Sequence, residues 1–240
     1  MQSSRVAIII PTYNEKSNIK LLTQKIFKVL PRAIVLVVDD NSPDSTAVVV
    51  KKLQTKFPNL WLIEGEKKSG RGQAVLKGMN LIFNKTKMAV FVEMDADFSH
   101  RPQELLALIK AVRDKNVALA SRYVAGGAIS NWPWQRKILS FVANKLIGLV
   151  LGLPLKDNTN GFRAYSRQAV AVLLKNSPTC KSYLFLSECA LVLQKAGFTF
   201  KELSSHFPNR RYGVSNTNLR EAINNLRDLI FLKIKLLNVK

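Results

Sequence analysis

Asp95 and Asp97, separated by Ala96, follow the apolar run Ala89-Val-Phe-Val92. A buried strand ending there would carry two carboxylates to one edge of a sheet. Two hard oxygen donors with no His or Cys partner suit Mg²⁺ or Mn²⁺ held against a diphosphate. The same pair would also serve in a solvated turn that caps the next helix. A phosphatase nucleophile is a third chemistry, but it calls for further Lys and acidic partners in an order this sequence lacks.

Asp39 and Asp40 end another apolar run, where dinucleotide-binding folds place an acidic residue on the nucleoside side. The preceding turn, Pro11-Thr-Tyr-Asn-Glu15, lacks the Gly-x-Gly-x-x-Gly needed for close pyrophosphate approach, which argues against classical NAD binding. Gly70-Arg-Gly72 could approach a phosphate or simply start a helix. Arg122, Arg136, Arg163, Arg167, Arg210 and Arg211 lie beside small or aromatic residues, where a guanidinium can grip phosphate oxygens through its planar fork. Each of them alone also reads as a solvated surface charge. His100 could extend the Asp95 motif, whereas His206 reads as surface or packing and Cys189 as helix core.

Positioning these groups requires strands at Val6–Ile10, Ile34–Val38, Leu60–Ile63, Met88–Met94 and Val117–Ser121. Helices follow from the spacing of Lys16–Leu30, from a cap at Asp44-Ser-Thr46 running to about Phe57, and from Gly72–Phe83. Near-continuous apolar strands alternating with helices predict an α/β fold, a Rossmann-like, mostly parallel sheet covered on both faces. Its ligands would bind beyond the strand carboxyl ends. Two further basic, apolar helical stretches are expected, Trp132–Leu151 and Leu219–Leu237. They read as attachments to one domain rather than a second domain.

Composition narrows the partners. The chain has 240 residues, with 37 Lys and Arg against 16 Asp and Glu, and only 5 of the acidic residues lie in 121–240. The second half should therefore face something anionic: nucleic acid, anionic lipid or a phosphorylated substrate. A 47% hydrophobic content excludes a disordered polybasic chain. Two unpaired cysteines support neither a disulfide scaffold nor a zinc site, so a reducing compartment is expected. The apolar start is too short for a signal peptide, and Asn144 and Lys145 interrupt the best candidate for a membrane span.

Taken together, Pro11-Thr-Tyr-Asn-Glu15, Asp39-Asp-Asn-Ser-Pro-Asp44, Met94-Asp-Ala-Asp-Phe-Ser-His100, Ser121-Arg-Tyr-Val124, Trp132-x-x-x-Arg136-x-x-x-Ser140, Asp157-x-Thr-x-Gly-Phe-Arg163 and Arg210-x-Tyr-Gly-x-Ser215 resemble the dolichol-phosphate mannosyltransferases. These are the polyprenyl-phosphate mannose synthases of glycosyltransferase family 2, and the resemblance runs from about Val6 to Ser215. It implies the type A glycosyltransferase fold and an inverting transfer of mannose from GDP-mannose to dolichyl or polyprenyl phosphate. Close relatives run the same reaction with UDP-glucose or another donor. Asp95 and Asp97 would hold Mg²⁺ or Mn²⁺, and Pro11, Tyr13, Glu15 and Asp40 the nucleoside. Arg210, with Arg211 beside it, would sit on the diphosphate, which makes Asp95, Asp97 and Arg210 the expected catalytic residues. Arg122, Arg136 and Ser140 match the acceptor-phosphate positions.

A polyprenyl acceptor stays in lipid, so the resemblance also implies a peripheral enzyme on the cytoplasmic side of a membrane. Residues 1–218 would form the catalytic domain and 219–240 an amphipathic surface helix, unless that helix packs on the domain's own core. Some relatives use small membrane-protein partners. Nucleic acid is not expected, since no helix-turn-helix, RNA-recognition or zinc-finger pattern is present. The chain departs from the group at Asn41 and Ser45, where glycine is usual, and at Asn216, where a lysine commonly follows the Tyr-Gly-x-Ser motif. The charge lost at Asn216 would have to come from Arg211 or Lys201.

Overall fold

The structure, a computed structural model, describes residues 5–180, 184–208, 229–230 and 232–233. Strand β1 (Val6–Thr12) is buried along almost its whole length, because successive side chains point to opposite faces and both faces are covered. Val6, Ile8 and Ile10 enter one core with α1 (Lys16–Val29), α2 (Thr46–Gln54) and α4 (Leu105–Ala111). Ala7 and Ile9 enter the other, with α3 (Arg71–Lys85), α6 (Arg167–Asn176) and α7 (Leu184–Lys195). The sheet is the middle layer.

Its order is β3-β2-β1-β4-β7-β5-β8, built from β2 (Ile34–Asp39), β3 (Leu60–Glu64), β4 (Val90–Glu93), β5 (Asn116–Ser121), β7 (Arg163–Ser166) and β8 (Thr199–Ser204). All pairings are parallel except those of β7, which runs antiparallel between β4 and β5. Because β1, β2, β4 and β5 run the same way, their last residues, Thr12, Asp39, Glu93 and Ser121, share one edge. That is the edge where the polar clusters were expected. A short parallel pair, β6 (Ala128–Ile129) and β9 (His206–Phe207), stands apart from the main sheet.

Several boundaries differ from the sequence reading, each for a local reason. Pro11 does not close β1: it lies opposite Val38 in a parallel pairing that continues to Thr12 opposite Asp39. The Asp44 segment does more than cap a helix. Asp44 Oδ1 accepts the Thr46 N–H at 2.9 Å while Oδ2 accepts the Lys16 N–H at 3.0 Å, which ties the starts of α1 and α2 together. Asn41 and Ser45 have φ of 61° and 68°, the left-handed region that glycine enters without strain. A glycine at these two positions would therefore relieve the backbone, and this chain keeps the turn with side chains that tolerate it less well.

Helix α5 (Trp134–Leu151) follows the main sheet's rhythm least. It buries only Asn144, Ile147 and Leu151, and Trp134, Ile138, Leu139, Val142 and Leu149 are all more than half exposed. Ile147 and Leu151 join a third apolar cluster with Leu184 and Leu191, to which the described part of the C-terminal stretch contributes Leu229 and Leu232. Those two leucines pack inward while Ile230 is 54% exposed. The rest of 219–240 lies outside the described residues.

Candidate active site

The loop after β4 is held by its own backbone and by groups that arrive from elsewhere. Asp95 donates its N–H to His100 Nδ1 at 2.8 Å, so that nitrogen carries a lone pair and any proton on the ring sits on Nε2. Burial depresses the His100 pKa against the pull of Asp95 and Asp97, which keeps the imidazole neutral. Its ring stacks on Phe162 at 5.0 Å and meets the edge of Phe207 at 5.7 Å. His100 therefore shapes the Asp95 turn and does not offer Nδ1 to a metal. Asp97 is buried, and its Oδ1 accepts both the backbone N–H and the hydroxyl of Ser99.

Asp95 also accepts from Arg71 Nε at 2.8 Å. This is the Arg of the Gly70-Arg-Gly72 turn. Burial works against its charge, but Asp95 and Glu93 outweigh that effect and hold the guanidinium above its usual pKa. Among the described residues no three His, Cys, Asp or Glu side chains group closely enough to hold an ion alone. Two aspartates as the protein's share, with the remaining positions left to water and diphosphate oxygens, is a donor set that fits Mg²⁺ or Mn²⁺.

On the β1–β2 side the expected nucleoside residues gather, but two of them are already engaged. Asp40 takes the Ser69 N–H and hydroxyl on Oδ1 and the Gly70 N–H on Oδ2, which fixes the 65–70 loop over the strand ends. Glu15 Oε2 accepts from Asn18 at 2.7 Å. Tyr13 is 38% exposed, with Lys68 Nζ 3.8 Å above its ring. Pro11 is half-buried beside them. Asp39, which the sequence paired with Asp40, accepts from Thr12 and twice from Ser42 and so organises the loop from inside.

The acceptor-phosphate candidates also come together. Tyr123 donates its hydroxyl to Ser140 Oγ at 2.8 Å, and Arg136 lies 3.8 Å from the Trp132 ring centre. Burial raises the Tyr123 pKa, so the phenol keeps its proton. Arg122, expected at the acceptor phosphate, is already engaged with a carboxylate. It is 7% exposed and grips Asp157 through Nε at 2.7 Å and Nη2 at 2.6 Å, with Thr159 Oγ1 also on Nη2. Next to it a cavity of about 430 Å³ is bounded by Tyr123, Ile129, Lys137, Ile138 and Phe141.

Phe207 joins the two clusters. Its ring touches His100, Trp132 at 5.7 Å and the Arg122 guanidinium at 5.1 Å. Sequence reasoning missed Phe207, Arg71 as a partner of Asp95, and Asp157 as the counter-charge of Arg122. For Arg71 the flanking glycines were the available signal; for Phe207 there was none. Arg163 and Arg167 do not reach the site. The Arg163 guanidinium donates to the carbonyls of Asn158, Asn160 and Leu186, and that of Arg167 to those of Phe83, Thr86 and Met88. Cys189 is buried with its thiol pKa pushed well up by burial, in keeping with a core residue. Arg210, Arg211 and Asn216 lie outside the described residues.

Comparison with known proteins follows the same lines. The chain is 37% identical to a polyprenol monophosphomannose synthase of Mycolicibacterium smegmatis, across 92% of this chain and 85% of that one. It is 34% identical to an undecaprenyl-phosphate mannosyltransferase of Micrococcus luteus across 88% and 86%, and 38% identical to a dolichol-phosphate mannosyltransferase of Pyrococcus furiosus across 69% and 47%. Glucosyl-3-phosphoglycerate synthase from Mycobacterium tuberculosis, solved with Mn²⁺ and UDP-glucose, superposes with a TM-score of 0.66 at 16% identity, covering 94% of this chain and 76% of that one. This likeness shows a shared fold, that of a type A glycosyltransferase. Residues 7–174 match the family described as Glycosyl transferase family 2, and the chain belongs to that family of glycosyltransferases.

Proposed function

We propose that the protein transfers mannose from GDP-mannose to a polyprenyl phosphate, with inversion at the anomeric carbon. The observation that carries this reading is the junction at Phe207. Its ring touches both His100, which holds the Asp95 backbone, and the Arg122 guanidinium, whose neighbouring cavity is lined by Ile138 and Phe141 of α5. A donor diphosphate and a lipid-borne phosphate require that adjacency. The names of the three relatives support mannose and a polyprenyl phosphate as the two substrates.

Asp95 and Asp97 would hold the divalent cation, which when bound supplies positive charge for the departing diphosphate. Tyr13, Pro11 and the 65–70 loop fixed by Asp40 form the nucleoside wall, with Glu15 at its rim. Arg210 and Arg211 remain assigned to the diphosphate by motif. Arg136 and Ser140 hold the acceptor phosphate, with Arg122 fixed behind them. Among the described residues Trp132 Nε1 is buried and finds no hydrogen-bond partner, a donor whose burial favours a nearby anion. An oxygen of the acceptor phosphate bonds to the anomeric carbon as that carbon's bond to the diphosphate breaks. The attacking oxygen is already anionic at neutral pH, so the site has to orient it rather than deprotonate it.

Transfer of labelled sugar to a short polyprenyl phosphate in detergent tests this directly, comparing GDP-mannose with UDP-glucose, each with Mg²⁺, Mn²⁺ or chelator. Metal-dependent transfer from GDP-mannose is expected. Transfer from UDP-glucose alone would correct the donor, and silence with every donor would overturn the reading.

The acceptor's tail places the protein on a membrane surface. No helix among the described residues is long and apolar enough to cross a bilayer. Helix α5 would instead lie in the interface, with Arg136, Lys137 and Lys145 at headgroup level. Each large apolar side chain transferred from water contributes roughly 1.5–3 kcal/mol. Val142→Glu combined with Leu149→Glu should therefore weaken binding to anionic liposomes at least tenfold. The melting temperature should hold, because these side chains are 54% and 83% exposed. Undiminished sedimentation with liposomes would remove α5 as the anchor and leave 219–240 as the alternative.

A further inference from the structure

Arg71 is tied into the site more tightly than the proposed chemistry requires. Its side chain is 26% exposed, and its guanidinium makes three contacts: Nε to Asp95 Oδ1 at 2.8 Å, Nη1 to Glu93 Oε2 at 3.1 Å, and Nη2 to the Gly161 carbonyl at 3.4 Å. Glu93 is fully buried, and its other oxygen accepts the Tyr165 hydroxyl at 2.5 Å. Tyr165 lies on β7 and Glu93 on β4, paired strands at the centre of the sheet, so the chain Tyr165–Glu93–Arg71–Asp95 runs from the core to the metal-binding edge.

A glycine clears the space for this arrangement: a Cβ on Gly161 would fall 2.0 Å from Arg71 Nη2. A solvated surface arginine would not need it. A carboxylate buried as completely as Glu93 is stable only with a fixed partner, and Arg71 is that partner.

We propose that Arg71 is a positioning residue which, anchored by Glu93, holds Asp95 through Oδ1 and shares that carboxylate with the divalent cation, thereby setting how tightly the cation binds. The inference rests on reading Asp95 and Asp97 as the metal-binding pair. A guanidinium a few ångströms from a dication repels it, and the same guanidinium fixes the direction in which the carboxylate points. Between charges this close, the repulsion outweighs the gain from a pre-set rotamer. Arg71 thus keeps the site weak for a bare ion and leaves the diphosphate's negative charge to complete it.

Mn²⁺ titrated into the full-length protein without nucleotide, followed by the electron paramagnetic resonance of the free ion, reads this directly. Arg71→Gln should bind Mn²⁺ roughly tenfold more tightly than the wild type. Glu93→Gln should bind it several-fold more weakly, because the Arg71 charge then falls on Asp95 unshared. A purely structural role would lower the melting temperature of both variants and move their Mn²⁺ affinities together or not at all. Should Arg71→Gln fail to fold, Arg71→Met, which also removes the charge but keeps the bulk, takes its place, and tighter Mn²⁺ binding than in the wild type is again the expected result. Affinities equal to the wild type, or shifted in the same direction, would overturn the inference alone. Absence of Mn²⁺ binding in all three proteins, with or without GDP, would overturn the metal assignment and this inference with it.

Discussion

Asp95→Ala is expected to reduce sugar transfer by roughly 10²–10³-fold or more, because it takes away one of the two carboxylates proposed to hold the cation that offsets charge on the leaving diphosphate. The fold should survive. The Asp95 side chain is 34% exposed, and its loss leaves Arg71 on Glu93, so the buried charge keeps its partner. Turnover and thermal melting measured on the same preparation separate the two effects. A variant that retains more than a tenth of wild-type transfer would remove Asp95 from the chemistry and return the pair to the role of a structural turn.

Arg122→Ala should act on stability first. The substitution strands Asp157, a carboxylate with no exposed surface, beside Thr159 and the backbone N–H groups it still accepts, and breaking such a buried pair costs about 3–5 kcal/mol. Chemical denaturation should show that loss directly. Arg136→Ala should leave stability within about 0.5 kcal/mol, since its guanidinium lies over the half-buried Trp132 ring, and should instead raise KM for the lipid acceptor while sparing that for the nucleotide sugar. Equal damage to both KM values would dissolve the division into donor and acceptor sides. A normally stable Arg122→Ala protein with a raised acceptor KM would restore the direct phosphate contact expected from the sequence.

The contrast between these two arginines marks how far the sequence could be read. The strands β1, β2 and β4 were legible because burial on both faces demands near-continuous apolar runs, and the carboxylates at their ends followed from chain direction. β7 was not legible. Its four residues, Arg-Ala-Tyr-Ser, carry two large polar side chains whose partners, Leu186 O for Arg163 and Glu93 for Tyr165, come from distant segments. In the site, residue type announced phosphate chemistry for Arg122, Arg136, Arg163 and Arg167 alike. Whether a guanidinium faces a ligand depends on acceptors far along the chain: Asp157 for Arg122, and the 83–88 carbonyls for Arg167. Asp40 shows the same limit, since nothing in Asp39-Asp-Asn-Ser reveals that Ser69 and Gly70 will fill its oxygens.

The position of β7 also governs the order in which the molecule can assemble. β3, β2, β1 and β4 come from the first 93 residues and can pair with one another early, while β5 cannot join them directly. The strand that bridges β4 to β5 spans Arg163–Ser166 and leaves the ribosome some seventy residues after β4, with α5 made in between. Until then β4 presents an unpaired edge of Val-Phe-Val-Glu, and the exposed apolar α5 has only part of its packing surface. Long-range closure of this kind slows folding and leaves a sticky intermediate. The Asp95 loop after β4 and the Arg122–Ser140 segment after β5 are thus brought into register by one late strand, so a nascent chain that stops short of it has made both segments but has no central strand to hold one against the other.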